Sequence, residues 1–437
     1  MITFLGFAMI FTFTYLIMTK KLSPLVALIL IPIIFGSIAG FYNDLGTMIM
    51  DGIKVVAPTA VLLFFAILYF AILLDAGLFD PLINKIIAIV DGSPVKIAVG
   101  TAIISMLIAL DGDGTTTHMI TIAAMFPVYK RLGMNRLVLA TISLLSVSVM
   151  SAMTPWGGPA TRAIAALGLD ANEFFLPVIP TLVMGMLSIV VVAFVLGKME
   201  EKRLGTLSKE NYEIFNAIPE MALSLEDTTY LKRPKLIIPN FILTIIIMGL
   251  LIFGILPAAT LFMIGFVIAL MINYPNLALQ KERIEAHASN VITVVALVFA
   301  AGAFTGIFSG TGMVDAIAIA IVNLIPESIG NAFPIVVAIT SLPLTFVLSN
   351  DAYYYGVLPI LGEAASAFGI NPTEIARASV LGQPIHFLSP LVASTLLLIG
   401  MVEVDLGQFQ KYAFLPALFV SVTLILVAIL TGAITFF

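Results

Sequence analysis

Apolar runs close to the length that crosses a bilayer recur from end to end of this chain, separated by short polar joints. They occupy residues 2–18, 22–39, 55–74, 137–153, 175–196, 236–253, 256–272, 291–307, 375–388 and 413–437. A run of about 20 apolar residues reads as a transmembrane helix, so the pattern predicts an all-α polytopic membrane protein with about ten crossings. Two further apolar stretches are interrupted near their centres by acidic and polar residues, Asp111-Gly-Asp-Gly-Thr-Thr-Thr-His118 and Ser349-Asn-Asp-Ala-Tyr-Tyr-Tyr355. Each splits its segment into two arms too short to span, which predicts a pair of re-entrant hairpins. Charge at membrane depth is costly and is retained where it serves function.

Composition sharpens this picture. The 437 residues are 61% hydrophobic and 10% charged, with a mean hydropathy of +1.15, too little charge to cover a water-facing globule. The net charge of −5 is a small remainder and points to no nucleic-acid partner. With no cysteine and three histidines, a bound metal has only oxygen and imidazole ligands to use, which suits hard cations. The first apolar run lacks a basic leader and a small-residue cleavage site, so it reads as a retained helix.

The chain also aligns with itself. A shift of 235 residues pairs Gly77 with Gly312, Asp80 with Asp315, Pro155 with Pro390, Asp170 with Asp405 and Phe174 with Phe409. Asp113 meets Asp351 slightly further on. Two copies of five crossings each have opposite orientations. The expected organisation is a first repeat over 1–197 (scaffold helices 1–92, hairpin and broken helix 93–197), a cytoplasmic linker over 198–234, and a second repeat over 235–437 (scaffold helices 235–330, hairpin and broken helix 331–437). With both termini outside, seventeen of the 20 Lys and Arg fall on the inner side, leaving Lys54, Arg162 and Arg377. The stretch 198–235 carries seven basic and seven acidic residues and reads as a connector without chemistry.

At the first tip, Gly112 and Gly114 release helical geometry, so the Asp111 and Asp113 carboxylates converge with backbone carbonyls while the second arm starts with its N–H groups facing the tip. Thr154-Pro-Trp-Gly-Gly-Pro159 breaks the helix that follows: Pro155 removes a donor, Gly157 and Gly158 loosen the backbone, and Pro159 suits a restart. Pro384-Ile-His-Phe-Leu-Ser-Pro390 has the same logic in the second half. Helix N-termini exposed in this way suit carboxylates. Arg162, one turn past the first break, either grips a substrate carboxylate or neutralises Asp111 or Asp113. His118 and His386 could ligate metal or relay a proton, or simply bond a neighbouring carbonyl. His287, among Lys281, Arg283 and Glu285, reads as ordinary surface. Trp156 and Tyr353 to Tyr355 either line a cavity or pack. An EF-hand fails because Ile122 stands where the closing glutamate belongs. Paired membrane aspartates leave an intramembrane aspartyl protease as the alternative from another class.

The strings LDGDGTTTH at 110–118, TPWGGP at 154–159 and SNDAYYYG at 349–356, on an inverted repeat with hairpins, resemble the bacterial metal-citrate:proton symporters of the CitMHS family, within the ion transporter superfamily. The resemblance covers essentially the whole chain. It implies an elevator-type carrier in the bacterial cell membrane, a homodimer rather than an enzyme, that takes up citrate complexed with a divalent cation of the Mg²⁺ or Ca²⁺ class together with protons. It implies no permanently bound cofactor. Carried onto this chain, the first tip is Asp111 to Thr116, the first break Thr154 to Gly158, the second tip Ser349 to Asp351 and the second break Ser389 with Pro390. With Arg162 added from its own position and charge, the expected substrate-binding set is Gly112, Gly114, Thr115, Thr116, Thr154, Pro155, Gly157, Gly158, Arg162, Ser349, Asn350 and Ser389. Asp111, Asp113 and Asp351 are the expected metal ligands, and Asp113, Asp351, His118 and His386 the expected proton carriers. A sodium-coupled di- or tricarboxylate carrier on the same fold is the nearest alternative.

Overall fold

The computed structural model describes residues 1–81, 83, 85, 93–204, 229–322, 330 and 332–435. Among them there is no β-strand. The helices are α1 (Ile2–Met18), α2 (Pro24–Ile38), α3 (Leu45–Asp75), α4 (Pro94–Ile108), α5 (Gly114–Arg131), α6 (Arg136–Met153), α7 (Gly158–Leu167) and α8 (Ala171–Leu204) in the first half. The second half has α9 (Ile237–Ile252), α10 (Ala258–Asn273), α11 (Leu277–Gly310), α12 (Met313–Val322), α13 (Phe333–Val347), α14 (Leu358–Ala367), α15 (Pro372–Val380), α16 (Gln383–His386), α17 (Ala393–Met401) and α18 (Leu406–Leu430). Nine of the ten expected crossings coincide with a helix, and the tenth, 375–388, is divided between α15 and α16 and runs into the break that follows.

Prolines inside α3, α8 and α18 do not end those helices, because packed neighbours hold the chain on either side of each ring. The helices α3 and α11 are the long central struts. They cross at their glycines: a Cβ on Gly52 would lie 1.9 Å from the Gly302 carbonyl oxygen, and one on Gly306 would lie 2.2 Å from that of Met48. This is close backbone approach through small residues, the usual means of joining helices where lipid offers no hydrophobic drive. The packing is reciprocal between halves, with α2 against α11 and α10 against α3, and with α17 against α5 and α7 against α14.

The continuous apolar stretch of α6 and α7 is 94% buried, against 22% for the stretch that includes α9. The first therefore forms the centre of the molecule and the second lies at its outer surface. Ser146 and Ser148 on α6 satisfy their hydroxyls on carbonyls of the preceding turn, at 2.9 Å in each case. α8 continues to Leu204, residues 229–236 are seated on the helices, and only the stretch 205–228 between them lies outside the described residues.

Candidate substrate-binding site

The first tip is built by a short 3₁₀ turn, Ala109–Asp111, after α4. Gly112 then takes the left-handed conformation at φ 82°, and Asp113 caps α5. The Asp113 carboxylate accepts from Thr115 N (3.2 Å), Thr116 N (2.8 Å) and Thr116 Oγ1 (2.6 Å), while Asp111 Oδ1 accepts from Asp113 N at 2.8 Å. The N-terminus of α5 is thus already occupied by a carboxylate, and this tip presents negative charge. Neither aspartate has an ion-pair partner among the described residues.

The break between α6 and α7 is locked to this tip. Trp156 Nε1 donates to Leu110 O at 2.7 Å, and Ser151 Oγ donates to Gly112 O at 3.2 Å. The indole is wedged between Phe70 and Phe262, with ring centres 5.3 and 4.9 Å away. Only glycine fits at 157, where a Cβ would sit 2.0 Å from the Ser151 carbonyl oxygen. In contrast to α5, neither α7 nor α17 is capped by its own N-cap side chain; the Gly158 N–H that opens α7 donates to Ser151 Oγ at 3.3 Å, and the start of α17 is left to other partners.

The second tip continues through a π-helical turn, Ala352–Val357, that buries Tyr353, Tyr354 and Tyr355. Gln383 Nε2 ties it to the second break by donating to Asn350 Oδ1 (3.2 Å) and to the Tyr354 hydroxyl (3.0 Å). Pro384 does not interrupt this helix; it lies in the first turn of α16, and the longer break runs through 387–392. The carbonyls opened there are satisfied, that of Phe387 by Thr395 Oγ1 (2.6 Å) and that of Leu388 by Gln410 Nε2 (2.8 Å).

Both tips, the α6–α7 break and the second break enclose one cavity of about 560 Å³, closed on its far side by α3 and α11. Its wall includes Asp111, Gly112, Asp113, Gly114, Thr115, Thr116, Gly158, Arg162, Ser349, Asn350, Asp351 and His386. Five expected residues are not part of it. Thr154 is 2% exposed and turns its hydroxyl to Met150 O; Pro155 and Gly157 form the backbone of the break; Ser389 is buried; and His118 is buried with Nδ1 on Ser143 Oγ at 2.8 Å. Arg162 pairs with neither Asp111 nor Asp113 but with Asp351 of the other half, Nε to Oδ1 at 2.7 Å. The tyrosine run packs, whereas Trp156 lines the cavity. Among the described residues, no three carboxylate or imidazole groups stand close enough together to cage an ion unaided.

The wall also holds Asp75, Lys232, His287 and Asn290, none of which sequence reading selected. His287 is not ordinary surface: its Nε2 lies 2.8 Å from Asp75 Oδ2. The signal available was the spacing of His287, Asn290 and Val294 along one helical face.

A helical membrane protein whose paired tips and broken helices converge on a polar cavity is, by class, a transporter. The chain belongs to the CitMHS family, since the family model described as "Citrate transporter" matches residues 13–382. It is similar to three Bacillus subtilis proteins. An uncharacterized transporter, YraO, is 57% identical over all of both chains. A citrate transporter is 53% identical over all of both chains. A Mg²⁺/citrate complex secondary transporter is 50% identical over all of this chain and 99% of its own. The crystal structure of the Alcanivorax borkumensis YdaH transporter, described as having an unusual topology, shares the fold at a TM-score of 0.52 and 13% identity, covering 89% of this chain and 88% of that one. Family membership makes this chain a multi-pass membrane transporter and removes the protease alternative.

Proposed function

We propose that this protein takes up citrate as its complex with a divalent cation of the Mg²⁺ or Ca²⁺ class, coupled to protons. The observation that carries the reading is the division of one cavity into two poles. The first tip supplies two carboxylates with no ion-pair partner among the described residues, and α7 and α17 supply positive helix ends without a cap from their own N-cap side chains. Free citrate carries about three negative charges, and at an effective dielectric near 20 two like charges 4 Å apart repel by about 4 kcal/mol. A divalent cation lowers the complex to one negative charge. Metal can then face Asp111 and Asp113 while citrate carboxylates face the helix ends and Arg162. Citrate oxygens complete the coordination, as hard cations require six or more oxygen ligands. The name of the Mg²⁺/citrate relative supports the same substrate.

Movement of the tips and broken helices against a scaffold built on α3 and α11 is the elevator mechanism this reading entails. The reciprocal packing of the two halves supports an inverted repeat, and the placement of basic residues supports a cytoplasmic linker with both termini outside. In this reading Asp351 exchanges a proton as the tips move, and its pairing with Arg162 across the halves supports that role. The test is equilibrium binding of labelled citrate to purified protein. Binding that rises with added Mg²⁺ and disappears with chelator supports the reading, and binding of metal-free citrate at equal affinity overturns it.

A further inference from the structure

Residues 229–236, which lead from the linker into α9, form a strap that brings Leu231 and Lys232 into the cavity wall. Tyr230 donates its hydroxyl to Glu282 Oε1 at 2.8 Å, the Leu231 carbonyl accepts from the Tyr274 hydroxyl at 3.1 Å, and Arg233 N donates to Ala76 O at 2.9 Å. Arg233 Nε also donates to Asn273 O at 2.7 Å, with its guanidinium 4.7 Å from the centre of the Tyr274 ring. Every tie is to α10, to α11 or to the end of α3, so the strap moves with the scaffold.

This anchoring fixes Lys232 in the cavity wall, with one donor on Asp80 Oδ2 at 2.9 Å. An ammonium group has three donors, so Lys232 has capacity for a further acceptor. His287 and Asn290 share the same wall, and the Asn290 amide makes no side-chain hydrogen bond among the described residues. Asp75, the acidic neighbour, is held by His287 and by Arg283 Nη1 at 3.4 Å.

The cluster breaks the internal symmetry of the chain. The shift of 235 residues that superposes the halves places Gly310, Gly52 and Val55 where Asp75, His287 and Asn290 stand. Those three residues do meet, in a separate notch between α3, α7 and α11 that has no lysine in its wall. A Cβ on Gly77 would be 3.1 Å from Lys232 Cδ, whereas one on Gly312 would meet nothing within 4 Å.

We infer that Lys232, with His287 and Asn290, forms a second, scaffold-borne docking site for a carboxylate of the transported polycarboxylate, present at the linker face only. This rests on the citrate reading above. Because the scaffold stays in place while the tips move, these groups meet substrate only when the cavity faces the linker. The site therefore sets affinity at one face of the membrane and leaves the other untouched.

The experiment compares right-side-out and inside-out bacterial membrane vesicles containing the full chain, measuring half-saturation for Mg²⁺-citrate at each face. Lys232→Met raises half-saturation at one face by about tenfold, the scale of one lost hydrogen bond to a charged group, and leaves the other within about twofold. Asp80→Asn, which removes the competing acceptor, lowers half-saturation at that same face, and Lys232→Arg stays near wild type at both. Equal shifts at both faces with Lys232→Met, or no shift at either, overturn the proposal. So does Asp80→Asn weakening transport as Lys232→Met does, since that is the behaviour of a structural tether; if Lys232→Met does not accumulate, Asp80→Asn decides alone. Absence of citrate flux in wild-type vesicles of both kinds overturns the substrate reading itself, an outcome distinct from flux that Lys232 does not affect.

Discussion

Asp113→Asn separates the two duties that the structure gives this residue. As a helix cap, Asp113 accepts three hydrogen bonds, and the two shorter ones, from Thr116 N and Thr116 Oγ1, both fall on Oδ2. The single amide oxygen of asparagine can retain that pair, and Asn caps helices about as well as Asp, so the fold should lose only a few tenths of a kcal/mol. The charge, in contrast, is lost entirely. One charge-assisted contact to the metal is worth about 1.5–3 kcal/mol, which is about ten- to a hundredfold in affinity for the metal-citrate complex. Asp113→Ala removes cap and charge together, costs about 1 kcal/mol more stability and lowers the thermal midpoint by roughly 2–4 °C. The assays are uptake against Mg²⁺-citrate concentration and thermal unfolding in detergent. The reasoning fails if Asp113→Asn transports with wild-type half-saturation, or if it unfolds as early as Asp113→Ala.

Arg162→Gln and Asp351→Asn should each reduce uptake at least about tenfold, because either change leaves one member of a 2.7 Å pair without its partner. The double variant should lose less than the two single losses combined, by roughly 1.5 kcal/mol or more in a double-mutant cycle; strict additivity would show that the pair is not coupled. Gly52→Ala should destabilise the protein by about 1–3 kcal/mol, since the added carbon meets the Gly302 carbonyl at 1.9 Å and backbone cannot step aside. Gly249→Ala, with nothing within 4 Å, is the matched control and should melt no earlier than wild type.

The crossings were legible because each is a local property, a run of apolar side chains long enough to span. Their ends were less so. Hydropathy stops at the charged turn, yet α3 continues outward to Leu45, with Asp51 and Lys54 paired along its surface at 2.8 Å, and α11 starts at Leu277 under the Asn276 cap, with Lys281 paired to Glu285 at 3.6 Å. Both tips and the first break were also readable, since glycine and proline act on their immediate neighbours. The second break was displaced because Pro384 suits a helix start as well as a helix end. What the sequence did not carry was pairing across distance. Arg162 and Asp351 are 189 residues apart, and spacing alone favoured the nearby Asp111 and Asp113. His287 read as ordinary surface and Lys232 as part of a connector until the fold brought both to the cavity wall.

The most direct measurement is citrate uptake into proteoliposomes under an inward proton gradient, with potassium in place of sodium, comparing chelator with added Mg²⁺, Ca²⁺ or Zn²⁺. Accumulation should require a divalent cation and collapse when a protonophore dissipates the gradient. Uptake that ignores the cation and requires sodium would contradict proton-coupled metal-citrate transport.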